Sequence, residues 1–101
     1  MSERRGYRVF IKAREADGSE TAVAQDLRRY DEESQGYIVA ALLELAKNPL
    51  ANSRRSAGYQ RFEFSIVLSG GDAVHHFVCP FQFLPDEERI EIRRIFELPA
   101  S

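Results

Sequence analysis

One stretch constrains the fold more than any other: Glu32–Asn48, EESQGYIVAALLELAKN, followed at once by Pro49. It is the longest helix-compatible run in the chain. On a 3.6-residue period Ile38, Ala41, Leu42 and Leu45 share one face. Val39 and Ala46 extend that face to one side and Tyr37 to the other, with Leu43 further round. Only Ala40, Glu44 and Lys47 are left to water. So wide an apolar arc packs against two partners rather than one. A sheet is the first; the second is another helix of the same chain or a different chain.

The chain has 101 residues, enough for one core, and reads as a single domain with residues 1–6 and 99–101 frayed. At 44% hydrophobic and 30% charged residues, its composition is that of a folded globular body. The formal net charge of −2 weighs against a generic nucleic-acid coat, although a local basic patch remains open. The single cysteine, Cys79, excludes an internal disulfide and any multi-cysteine zinc site. Without a disulfide or a signal peptide the chain is expected in the cytoplasm. No apolar run approaches the roughly 18 residues of a membrane span.

Taken in order, Tyr7–Ala13 alternates as a strand, with Tyr7, Val9 and Ile11 on one face. Ala16–Ser19 is a turn cluster. Thr21–Gln25 could return from it as a strand, but a helix over Thr21–Tyr30 is preferred. Ser19 suits its N-cap, and Val23, Leu27 and Tyr30 fall at i, i+4 and i+7. Asp31 caps the main helix, Glu32 and Glu33 complement its positive end, and Gly36 weakens its start. Asn48-Pro49 ends it. Leu50–Gly58 reads as a loop with the adjacent pair Arg54 and Arg55.

The second half reads as strands. In Tyr59–Leu68, Phe62, Phe64, Ile66 and Leu68 face in, while Arg61, Glu63 and Ser65 face out. Ser69–Asp72 is a hairpin turn. In Ala73–Leu84, Phe77, Cys79, Phe81 and Phe83 share a parity, and Pro80 implies an edge position or a bulge. Pro85–Glu88 turns the chain into a last strand, Arg89–Leu98. Ile90, Ile92, Phe96 and Leu98 then share one face, and Arg94 has that same parity. The expected architecture is α+β: an N-terminal strand, a two-helix hairpin and a three-stranded antiparallel meander (β-α-α-β-β-β). The helices pack on one face of the sheet, and the other face stays exposed.

This order resembles the RelE/ParE superfamily of toxins from bacterial type II toxin–antitoxin systems. The carriers are the strand YRVFIKA, the helices ending AQDLRRYD and ALLELAKNP, the strands RFEFSIV and HHFVCPFQF, and the closing IEIRRIF. The resemblance implies a growth-inhibiting, plasmid-stabilising type of toxin neutralised by a small cognate antitoxin. It implies one of two actions: ribosome-dependent mRNA cleavage, an enzyme activity, or inhibition of DNA gyrase, a binding activity. No tyrosine or histidine follows the last strand, which favours the second or an activity that has been lost. The alternative is a catalytically inactive RelE-fold protein serving as an interaction module.

Cleavage of this type activates a ribose 2′-hydroxyl, which needs a base, an acid and cations for the phosphate. The candidates for catalysis are Arg61, His75 and Arg94, and for phosphate Arg54, Arg55 and Arg93. His75 and His76 are adjacent, so on a strand at most one reaches a given site. For Arg61 the competing reading is a cross-strand pair with a carboxylate such as Glu91. Arg94, at an apolar parity, needs a carboxylate partner, a bulge or an escape to solvent. Cys79 reads as a small buried hydrophobe. No metal-ligand spacing and no cofactor motif is present. Val39 and Leu43, which one small core leaves underused, are the candidate contacts for an antitoxin or for a second copy in a homodimer.

Overall fold

The computed structural model describes residues 6–50, 53–56, 59–67 and 73–99. The elements are β1 (Arg8–Phe10), α1 (Ala22–Arg28), α2 (Glu32–Lys47), β2 (Arg54–Ser56), β3 (Tyr59–Val67), β4 (Val74–Leu84), β5 (Arg89–Ile92) and β6 (Phe96–Glu97). Among the described residues the strands form one sheet in the order β1-β5-β4-β3-β2, with β6 also on β4. β1 runs parallel to β5, and the remaining pairs are antiparallel. The expected order of strand, two helices and antiparallel meander is the one observed.

α2 is organised as its sequence dictates. The Asp31 side chain accepts from the Ser34 N–H at 2.8 Å, and Asn48 closes the far end by donating to the Leu45 carbonyl at 3.1 Å. Ile38, Leu42 and Leu45 are fully buried. They pack with Val23 of α1 against the inward side chains Phe62, Ile66, Phe77, Cys79, Phe81, Ile90 and Ile92. Both helices therefore cover the same face of the sheet. The buried arc is narrower than the sequence suggests: Tyr37, Val39 and Leu43 are all exposed. The N-terminal chain is tied to this helix, since the Tyr7 N–H donates to the Ala46 carbonyl at 2.8 Å. A Cβ at Gly6 would lie 3.2 Å from that same oxygen, so the close approach favours glycine.

α1 is a helix, but Thr21 rather than Ser19 caps it. The Thr21 hydroxyl accepts from the Ala24 N–H at 3.1 Å and donates to the Lys12 carbonyl at 2.5 Å. Ser19 instead closes the preceding turn by bonding Asp17, with Gly18 at φ 89°. The chain over Leu50–Gly58 is not purely loop, because β2 pairs with the start of β3. The hairpin turn placed at Ser69–Asp72, and Leu68 before it, lie outside the described residues.

The largest departure is in the last strand. It breaks at Arg93–Ile95 into β5 and β6. Ile95 goes into the core at 2% exposure, while Phe96 and Leu98 turn out to solvent. Pro80 explains the position of the break. It lies in β4, at the centre of the sheet and not at an edge. Its carbonyl accepts from the Arg93 N–H at 2.8 Å, so the side of Pro80 that lacks an N–H faces the same neighbour. The ladder cannot continue there, and the irregularity appears on the partner strand.

Candidate functional site

The sheet face away from the helices is open, and the strand registers place its side chains in rows. Arg54 of β2 is directly opposite Arg61 of β3, which is opposite Pro80 of β4. Arg93 comes next, on the far side of Pro80. Three arginines thus cross the sheet at one level. Arg54, Arg61 and Arg93 are all exposed. Arg93 bonds the Gln82 side chain and sits 3.5 Å from Glu91. Among the described residues neither Arg54 nor Arg61 has a carboxylate partner, and Glu91 belongs to Arg93. The anticipated Arg61–Glu91 pair is not formed, because β4 separates their strands. Arg55 neighbours Arg54 in β2, opposite Gln60.

Along β3 from Arg61, the same face carries Glu63 and then Ser65, at about 3.3 Å of rise per residue. The Ser65 hydroxyl lies 2.7 Å from His76 Nδ1, its cross-strand partner on β4. Arginines, a carboxylate and an imidazole–hydroxyl pair therefore share one open surface. This arrangement can neutralise phosphate through bidentate guanidinium contacts and offers groups for proton transfer beside it.

The other two residues expected to join Arg61 do not. His75 faces the helix side and pairs with Glu97, Nδ1 to Oε2 at 3.0 Å. Arg94 also turns to the helix side. Its Nε and Nη2 donate to Asp26 at 2.6 and 3.1 Å, and its guanidinium lies 4.7 Å from the Phe96 ring centre. Burial pushes the Asp26 carboxyl up. The hydrogen bonds from Arg94 and the Ile95 N–H, with the charges of Arg94 and Arg29, outweigh it and hold the carboxyl below its ordinary value. The same hydrogen bond raises Arg94. Arg94 thus serves the fold at this position.

Of the two adjacent histidines it is His76 that belongs to this face, where the residue pattern alone pointed to His75, and Glu63, read only as an outward residue, lies on the same face. Parity gives the signal for His76. His75 shares the alternation of Phe77 and Cys79 and must point in, which leaves His76 pointing out. Cys79 is fully buried, and burial, then the charge of Asp26, pushes its thiol up to about 12. It takes no part in the open face. Val39 and Leu43 lie on the outer side of α2, with 39% and 55% of their surface exposed.

No protein-family model and no curated protein matches the sequence. Solved structures do supply a match. A chain of the toxin–antitoxin complex RelBE2 from Mycobacterium tuberculosis aligns with a TM-score of 0.61, at 17% identity, over 93% of this chain and 100% of that one. The order of elements read from the sequence is thus matched in three dimensions: this chain has the fold of that chain of the RelBE2 complex. Among the described residues no helix is long and apolar enough to cross a membrane.

Proposed function

We propose that this chain is the toxin of a type II toxin–antitoxin pair and that it cleaves mRNA at the ribosome. The observation that carries the reading is the direct opposition of Arg54 and Arg61 on the open face. Like charges facing each other across a strand pair cost stability. A polyanion laid over them reverses the sign of that cost. Arg93 extends the row, so that several phosphates of one strand meet guanidinium groups.

The chemistry needs no covalent enzyme intermediate. The ribose 2′-hydroxyl attacks the adjacent phosphorus while a base takes its proton, the bond to the 5′-oxygen breaks, and an acid protonates that oxygen. A cyclic phosphate and a 5′-hydroxyl result. Glu63, two residues along β3 from Arg61, and His76, level with Ser65 and four residues from the arginine row, are the acid–base candidates on the same face. Arg61 and Arg54 neutralise the charge that develops on phosphate. Gyrase inhibition makes no use of proton-transfer groups beside the arginines, and their presence favours nucleolysis. The neutralising partner is a small antitoxin. An acidic segment of it laid across the arginine row would compete with RNA for the same charge.

Controlled expression in a bacterial host tests this. Growth arrest is expected, with new mRNA ends mapping to ribosome-bound codons. Arg61→Ala should relieve the arrest while its circular dichroism remains that of the folded chain. Arrest with broken DNA and intact mRNA would move the target to gyrase. No arrest at all would sink the toxin reading.

A further inference from the structure

Gly36 lies in the second turn of α2, where glycine weakens a helix relative to alanine. The fold of a single chain gives no reason for it. Gly36 does not occupy the left-handed region, and a Cβ built on it would meet nothing within 4 Å. That empty space lies on the outer side of the helix. Gly36, Val39, Ala40 and Leu43 recur there at i, i+3, i+4 and i+7, and all four are exposed. The stripe ends in opposite charges. Glu32 lies one turn before Gly36 and Lys47 one turn after Leu43, both exposed.

These six residues are arranged symmetrically about the Val39–Ala40 peptide. Turned end for end, Leu43 falls on Gly36, Val39 on Ala40 and Lys47 on Glu32. A surface complementary to itself under a two-fold rotation is what an isologous interface requires. We propose that a second copy of this chain docks antiparallel along α2. Leu43 of each copy fills the space over Gly36 of the other. Val39 and Ala40 pack at the two-fold axis, and Glu32 pairs with Lys47 at both ends. The glycine and alanine let the helix axes approach, and antiparallel macrodipoles favour the arrangement. Lys47 holds Glu44 at 2.9 Å in the single chain, an exposed pair that is easily exchanged. A partner of unrelated sequence would not need the symmetry. Self-association on this face does not depend on the chain being a toxin.

Sedimentation of the full chain over a concentration series tests it. A reversible dimer is expected. Leu43→Glu should raise the dissociation constant by about tenfold or more with the helical signal intact. Gly36→Leu should weaken association too, although it improves helix propensity. Glu32→Lys and Lys47→Glu should each weaken self-association alone, since each sets like charges together. Mixed in equal amounts they should associate again as a heterodimer. A monomer up to about 1 mM overturns the proposal. So does a dimer that Leu43→Glu leaves unchanged, or a charge-reversed mixture that does not recover. If Leu43→Glu spares self-association but abolishes binding to a neighbouring-gene protein, the face belongs to that partner and the proposal fails.

Discussion

Asp26 in α1 and Arg94 at the break between β5 and β6 are 68 residues apart in sequence and share two hydrogen bonds, of 2.6 and 3.1 Å. Asp26 is 1% exposed, and it also accepts the Ile95 N–H at 3.0 Å. One carboxylate therefore anchors the helix to the irregular segment of the sheet and satisfies a backbone donor that the broken ladder leaves free. The two partners are not equivalent. Arg94 keeps 38% of its side chain in solvent, whereas Asp26 has no escape. Arg94→Met should cost about 3–5 kcal/mol, because it strands a buried charge. Asp26→Asn should cost less, about 1–3 kcal/mol, because Arg94 can turn to water. Urea unfolding of both variants checks the order, and equal losses would count against it.

The same pair sets an acid limb. The unfolded Asp26 carboxyl titrates near 3.8, and the native one lies below that. As the pH falls, the unfolded chain takes up its proton first. The pair's contribution is therefore fully present above pH 3.8 and is lost as the pH drops through the lowered native value. The melting-temperature gap between wild type and Arg94→Met should be widest near neutrality and should narrow below pH 3.8. A gap that stays constant from about pH 7 to about pH 2 would contradict the assignment.

Cys79 should be chemically silent in the native protein. It is 0% exposed, and its thiol is pushed up to about 12, so almost no thiolate exists at about pH 8. A chromogenic disulfide reagent should react with it only at the rate of unfolding, and promptly in denaturant. Fast modification of the folded chain would mean that this part of the core opens.

How legible the fold was in the sequence differs from element to element, for physical reasons. α2 announced itself because its apolar period and both its ends are local: Asp31 caps its start, and Pro49 blocks any continuation. β3 and β4 were equally plain, since strict alternation fixes their inward faces. β2 was not, because three residues without apolar alternation become a strand only by pairing with β3. The last strand misled because alternation over Arg89–Leu98 put Phe96 and Leu98 inside and Ile95 outside, although Arg94 does turn to the helix side, where Asp26 meets it. What breaks that alternation is non-local: the missing N–H of Pro80 and a carboxylate 68 residues away. Of the site, Arg54, Arg61 and Arg93 were visible as outward or loop cations. That they form one row depends on register, which spacing does not supply. Parity did hold the answer for the histidines, since His75 follows Phe77 inward and leaves His76 for the open face.

The arginine row makes a prediction with opposite signs for stability and function. Arg54 and Arg61 are cross-strand neighbours, and among the described residues no carboxylate relieves them. Directly opposed like charges on a sheet cost about 0.2–1 kcal/mol. A pair kept only for the fold would lose stability when one member is removed. A pair kept to hold a polyanion gains it, because sites built to bind carry strain that the ligand relieves. Arg61→Gln should therefore leave the melting temperature unchanged or raise it slightly. It should also weaken binding of a single-stranded RNA and lower the magnitude of the salt slope, by roughly 0.7 for each phosphate that is no longer neutralised. Arg54→Gln should do the same, and the double variant should stabilise by less than the two singles together, because either one already removes the repulsion. Calorimetry and fluorescence anisotropy across a salt series read the two effects separately. If both singles destabilise by about 1 kcal/mol or more, beyond the cost of a cross-strand pair, and RNA affinity is unchanged, the row is part of the fold and not a binding surface.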